Sequence, residues 1–141
     1  MILRSLRRVL ADSRGQSLVE FSLSALMLVL VMFGIFELSR MLLVYTTVAN
    51  AARAGARYMI VHGSHSNSPA TLTSTQTLVK NYLSAAPVNT SIAVITASGY
   101  GGAEGSTATV NVTYPYDPWV GFYTHLFSIN ISSTSQGVIT W

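Results

Sequence analysis

The chain has 141 residues, of which half are hydrophobic and 9% are charged, and its net charge is +3. It contains no cysteine, which excludes a disulfide framework, a Cys-ligated zinc site and a cysteine nucleophile. After residue 15 the basic residues are only Arg40, Arg53, Arg57 and Lys80, against four acidic ones, so a nucleic-acid partner is not expected.

Residues 1–15 are basic. They include four arginines and one acidic residue, which gives this segment a charge of +3. Basic residues placed just before an apolar run are retained in the cytoplasm. Residues 1–15 are therefore predicted to be cytoplasmic and the remainder of the chain to lie outside.

An apolar run follows at residues 18–36, and we assign residues 16–37 to the transmembrane half of a long helix. Nineteen helical residues span about 28 Å, close to the thickness of a bilayer core. The small residue Gly34 would let another helix approach closely. A secretory signal peptide cut near residues 49–51 is the alternative, but the run is longer than a usual signal core and the site lies beyond Glu37 and Arg40.

Residues 38–62 form the extramembrane half of the same helix, which is predicted to run from 18 to 61. Apolar residues continue at spacings of three and four: Leu38, Met41, Leu42, Tyr45, Val48, Ala49, Ala52, Ala56 and Met59. The small residues here are Ala51, Ala52, Gly55 and Ala56. They either let a neighbouring element pack against the helix backbone or reflect helix propensity alone.

Residues 63–141 are predicted to form an exported α+β domain. A short helix is expected over 71–85, with Leu72, Leu78, Val79, Tyr82 and Leu83 on its apolar side. Strands are expected over 91–97, 107–114 and 127–132, and residues 138–141 either extend or follow the last one. The fold class is thus α+β: a long N-terminal helix packed on a small, largely antiparallel sheet with one short extra helix.

Catalytic and metal-binding signals are weak. His62 and His65 have a His-x-x-His spacing, but they lie in a Ser-rich segment without a nearby carboxylate, so no metal is expected. His125 is not accompanied by a nucleophile-elbow motif, and "GYGGAEG" is not a phosphate loop. Neither an enzyme nor a cofactor is expected.

The segment "YPYDPWVGFY" is rich in aromatic residues. Tyr116, Trp119, Phe122 and Tyr123 belong to it. Aromatic side chains are enriched in the cores of protein interfaces, so these four form either an exposed contact loop or a packing layer on the thin core.

The stretch "RGQSLVEF" resembles a type IV prepilin cleavage motif. Gly15 stands at the last leader position, Gln16 would be the first mature residue, and Glu20 would be the fifth. The continuation resembles the TadE-like family through Gly34, Glu37, Arg40 and residues 51–57, and the resemblance covers residues 14–61. The chain departs from the usual pattern in having Gln16 where many type IV pilins have Phe.

The resemblance implies a pilin-like structural subunit, a pseudopilin or minor pilin of a bacterial tight-adherence pilus or related secretion assembly. A prepilin peptidase would cut it after Gly15. Its partners would be the inner membrane, other pilin-like subunits and the assembly platform, and Glu20, Glu37 and Arg40 are the expected assembly residues. It would cross the inner membrane once, with further incorporation into an extracellular pilus. The alternative is an uncleaved single-pass anchor that displays an adhesive or sensory module.

Glu20 needs a partner if it lies within lipid, because a carboxylate at membrane depth costs about 3 kcal/mol. Cleavage would create an α-amine at Gln16, four residues earlier and about 6 Å away along the helix. At about 4 Å, with an effective dielectric constant near 20, such a pair attracts by roughly 4 kcal/mol. The amine of the same or a neighbouring subunit would therefore offset the cost. The alternative is that Glu20 is solvated in the headgroup region.

Overall fold

The computed structural model describes residues 13–118 and 129–140 of the chain. Its elements are helix α1 (Ser13–Val61), helix α2 (Leu72–Leu83) and strands β1 (Val94–Ser98), β2 (Thr107–Tyr116) and β3 (Ile129–Val138). The predicted α+β class is confirmed. The chain divides into two compact units between Leu38 and Ser39.

Helix α1 ends at Val61 as predicted, but it includes five residues before the predicted start at 18. The prediction placed the start at the first apolar residue. Residues 13–17 contain no proline, and extending an existing helix adds one hydrogen bond for each residue fixed, so a helix continues through polar residues of this kind.

The first unit contains the apolar part of α1, and its large side chains are exposed from Leu18 to Phe36. Among the described residues, one helix is long and apolar enough to cross a membrane, by length and composition. The Ser22 hydroxyl donates to the carbonyl oxygen of Leu18 at 2.7 Å. That bond satisfies a polar group that water would not reach inside lipid.

The second unit has its core between the outer part of α1 and the sheet. The buried residues of α1 in this core are Val44, Val48, Ala51, Ala52, Ala56 and Met59. Opposite them lies β2, whose residues from Ala108 to Tyr116 are buried at every second position. The predicted sheet with one buried face, covered by the long helix, is confirmed.

The sheet has the order β1-β2-β3, and both pairs of strands are antiparallel. In the register of the central strand, Val112 lies opposite Ile95 on one side and Ser133 on the other. On the outer face the Asn111 side-chain amide donates to Thr134 Oγ1 at 2.6 Å. Hydrogen bonds of this kind satisfy the Ser- and Thr-rich surface of the sheet.

Strand β3 differs most from its prediction, since it continues to Val138 whereas 132 was expected; residues 127 and 128 lie outside the described part. Residues 132–136 are all polar, so their sequence shows no alternation. Tertiary contacts decide the extension. Gly137 lies against the Ile60 side chain, and the Thr140 amide donates to the Ile60 carbonyl at 3.2 Å.

Helix α2 is shorter than the predicted 71–85. Thr71 is its N-cap and forms a capping box with Ser74. The buried residues are Thr75, Val79 and Leu83. The predicted apolar side was therefore partly wrong, because Leu72 and Tyr82 are exposed. Thr75 is buried without cost to its hydroxyl, which donates to the Thr71 carbonyl at 2.9 Å.

Candidate assembly site

The residues of the cleavage motif lie in the first unit, on α1. Gly15, Gln16 and Glu20 are all exposed, and a Cβ added at Gly15 would meet nothing within 4 Å. The peptide bond that would be cut lies within the helix, and Gln16 and Glu20 are one helical turn apart. Within the described part of the first unit, the residues on both sides of this bond and the carboxylate are exposed.

The other assembly candidates of the first unit are Gly34 and Glu37. Gly34 has open space around it, since an added Cβ would again meet nothing within 4 Å. Glu37 is partly exposed. The small surface at Gly34 is thus available to a neighbouring helix.

Arg40 belongs to the second unit, where its guanidinium contacts the end of β2. Its Nη2 donates to the Asp117 carbonyl oxygen at 3.2 Å, and its Cζ lies 5.0 Å from the centre of the Tyr116 ring. A cation over an aromatic face is attracted by the ring quadrupole. Arg40 therefore contacts its own chain, and its role in assembly stays a prediction.

Tyr116 is 1% exposed and packs within the core. It does not contribute to an exposed contact loop. Trp119, Phe122 and Tyr123, the other aromatic residues considered for that loop, lie outside the described residues, as does His125.

The small residues of α1 face the interior of the second unit. Ala51, Ala52, Gly55 and Ala56 are buried. A Cβ added at Gly55 would lie 2.7 Å from Val79 Cγ2 and 3.3 Å from Val110 Cγ1, so both α2 and β2 approach the helix closely there. The neighbours of this surface are elements of the same chain.

The two histidines near the end of α1 have separate contacts. His62 Nδ1 lies 2.9 Å from the Tyr58 carbonyl oxygen, and its ring stacks on Tyr58 at 4.2 Å. His65 Nδ1 lies 3.4 Å from Ser64 Oγ. Among residues 13–118 and 129–140 there is no cluster of three His, Asp or Glu side chains able to hold a metal.

Sequence reasoning missed the opposite, outward surface of the same helical segment. Arg53 and Arg57 are exposed there and line a groove together with Leu78 and Tyr82 of α2. The charge spacing was visible in the sequence. The sequence did not show that α2, which begins fifteen residues after Arg57, packs beside the two arginines.

The fold belongs to the α+β class and has one long apolar N-terminal helix. That helix suggests single-pass membrane anchoring. The family model for TadE-like protein matches residues 15–57, which confirms the resemblance found in the sequence. The match suggests a pilin-like protein related to the tight-adherence pilus, in a structural family not known as enzymatic. No curated protein and no solved structure matches the chain.

Proposed function

We propose that the protein is a pilin-like structural subunit of a bacterial tight-adherence pilus or related secretion assembly, cut after Gly15 by a prepilin peptidase. The observation that carries the proposal is the position of the family match. It begins at Gly15, the expected last residue of the leader, and continues through the apolar helix to Arg57.

The exposed apolar surface of the first unit supports this role. Large hydrophobic side chains are exposed along the whole stretch from Leu18 to Phe36. Soluble proteins rarely expose apolar patches of such extent, so this surface belongs in lipid or against other helices. A subunit that first resides in the inner membrane and then packs its helix against other subunits uses the same surface in both states.

Glu20 is the polar element of that surface. In the proposed mechanism, cleavage releases the α-amine of Gln16, and the amine of a neighbouring subunit pairs with the Glu20 carboxylate. A subunit shifted out of register would leave both charges in an apolar environment, which costs several kcal/mol. The pair would therefore fix the axial position of each subunit. Glu37 is a second candidate for a polar contact between neighbouring subunits.

Cleavage is tested by Gly15→Lys, with Gly15→Ala as the control for loss of glycine alone. A Cβ added at Gly15 meets nothing within 4 Å among the described residues, so Gly15→Ala should be tolerated by the fold. We expect mass spectrometry of the wild-type protein to find an N-terminus at Gln16, and the Lys variant to keep its leader. A wild-type chain that retains Met1 in assembled material would instead support the uncleaved anchor with an adhesive or sensory module.

The role of Glu20 is tested by Glu20→Ala, with Glu104→Ala as a matched control that removes an exposed carboxylate from the second unit. The Glu20 variant should insert and be cut, because neither step uses the charge pair, but it should be at least tenfold depleted from sheared or detergent-resistant assemblies. Wild-type amounts of it in that fraction would contradict the pairing.

Orientation is tested by a reporter fused after Trp141. We expect the arginine-rich leader to hold the N-terminus in the cytoplasm, so a reporter that is active only outside the cytoplasm should give a signal. Activity of a cytoplasmic reporter at the same position would rule out the proposed export.

A further inference from the structure

A groove of about 650 Å³ runs along the outward face of α1 in the second unit, beside α2. Residues 47–61 of α1 line one side of it, a length of roughly 21 Å at 1.5 Å per residue. Leu78 and Tyr82 of α2 line the other side, together with Ala85 just beyond the end of that helix. Tyr82 is 51% exposed, which leaves an aromatic ring at the edge of the groove.

The charged side chains that line this groove are positive. Arg53 and Arg57 are exposed on its α1 side, and no acidic residue is among the described residues that line it. Arg53 Nη1 donates to Asn50 Oδ1 at 3.1 Å, and neither arginine has an ion pair within residues 13–118 and 129–140. Like charges four residues apart on a helix repel each other, so an anionic partner would stabilise this face.

We infer that the groove binds an acidic segment of a different exported protein, one that carries two carboxylates about 6 Å apart and at least one apolar side chain. The spacing follows from the two arginines, which are four residues apart on a helix. Carboxylates at positions i and i+4 of a helix, or i and i+2 of a strand, have this separation. The apolar side chain would contact Leu78 and Tyr82.

A second copy of this chain does not supply such a segment. Its five acidic residues are Asp12, Glu20, Glu37, Glu104 and Asp117. No two of them are closer than eight residues in sequence, so no local pair matches the two arginines. A single segment that carries both carboxylates therefore comes from another protein.

Lipid headgroups do not fit the position of the groove. The apolar run ends at Phe36, and Arg53 lies seventeen residues further on, roughly 26 Å along the helix. The headgroup region on each side of a bilayer is only about 5 to 8 Å thick. Arg57 lies one turn further away.

The inference rests on the proposed function in one respect, namely that the second unit is exported. Its test uses the full-length chain in cells that make the assembly, with a photo-crosslinking p-benzoylphenylalanine in place of Tyr82. We expect the adduct, after digestion and mass spectrometry, to contain a segment of a different exported protein with two acidic residues at the stated spacing.

Charge reversal decides whether the arginines select that segment. Arg53→Glu combined with Arg57→Glu should lower the yield of the adduct at least tenfold. Lys80→Glu, which reverses an exposed charge of α2 outside the groove, should leave it within twofold. Arg53→Gln combined with Arg57→Gln removes the charges without introducing new ones and should also lower the yield. Replacing the two acidic residues of the partner by lysine should restore the adduct of the Glu variant.

The inference is overturned if the yield does not depend on the two arginines, if the adduct contains a second copy of this chain, a lipid or a polysaccharide, or if no adduct forms. The N-terminus of the same samples is determined in parallel. If the chains are cut after Gly15 and the yield of the adduct does not change on charge reversal, the proposed groove partner is contradicted and the proposed function is not affected. Uncut chains with an arginine-dependent adduct support the groove and contradict the proposed processing.

Discussion

Helix α1 differs between its two parts, the one that ends at Leu38 and the one that begins at Ser39. Large side chains are exposed in the first part, whereas small side chains are buried in the second. In the first unit Leu, Phe, Met and Ile side chains are exposed. In the second unit the residues of α1 that enter the core are mainly Ala and Val, with Gly55 at the closest approach. One continuous helix thus carries two surfaces of different design.

The difference follows from what each surface contacts. Large apolar side chains such as those exposed in the first unit suit contact with lipid tails, and they need no fixed partner in the single chain. A sheet that packs on a helix within a thin core needs a close approach of the two backbones, which only small residues allow. The size of the side chains along a helix therefore indicates where the chain's own fold ends and where its outside partners begin.

The largest effect that would test this comparison is expected for Met59→Ala. Met59 is 0% exposed, and truncation of a buried methionine typically costs 2 to 5 kcal/mol, roughly, because a cavity remains. Met27→Ala is the matched control, since Met27 is 71% exposed. Urea unfolding of the full chain in detergent, followed by near-ultraviolet circular dichroism, should show a lower midpoint for Met59→Ala alone. Equal midpoints would remove the distinction between the two surfaces.

Gly55→Leu should have the next largest effect, about 1 to 3 kcal/mol, because overpacking displaces neighbouring side chains. The clash begins at the Cβ atom, which would lie 2.7 Å from Val79 Cγ2 in a fully buried part of the core. Gly34→Leu introduces the same side chain into open space and should leave the unfolding midpoint of the second unit unchanged. A similar decrease in the unfolding midpoint for both leucine variants would contradict the assignment of Gly55 to close packing within the chain.

Thr71→Ala should destabilise the second unit by about 1 kcal/mol, through the loss of the N-cap of α2. This helix places Val79 against Gly55, so its loss would weaken the cover of the outer part of α1. Thr77→Ala is the control, since the Thr77 hydroxyl bonds only the Thr73 carbonyl one turn earlier on an exposed face. Hydrogen exchange of the α2 amides should rise for the Thr71 variant only.

The smallest effect is expected for the hydroxyl groups that bond back to the helix in both units. Ser22 donates to the Leu18 carbonyl and Thr47 to the Leu43 carbonyl, with distances of 2.7 and 2.8 Å. Ser22→Ala and Thr47→Ala should each change the unfolding free energy of the second unit by less than about 0.5 kcal/mol. A larger loss for Thr47 would mean that local hydrogen bonds, in addition to side-chain size, distinguish the two surfaces.

The sequence alone determined the features that depend on neighbours along the chain. The long helix and its end at Val61 were visible from apolar periodicity, and the buried face of β2 from strict alternation between Ala108 and Tyr114. The resemblance to the TadE-like family was also visible, and the family match over residues 15–57 confirms it. These signals are local, so no knowledge of the fold was needed.

Tertiary structure decided what depends on residues distant in the chain. The polar residues of β3 carry no alternation, and their place in the sheet follows from pairing with β2 and from the contact of Gly137 with Ile60. Thr75 is buried while Tyr82 is exposed because α2 turns one particular face to the core. The groove beside Arg53 and Arg57 exists only because α2 packs there, and the free energy of that packing comes from buried surface that no single segment contains.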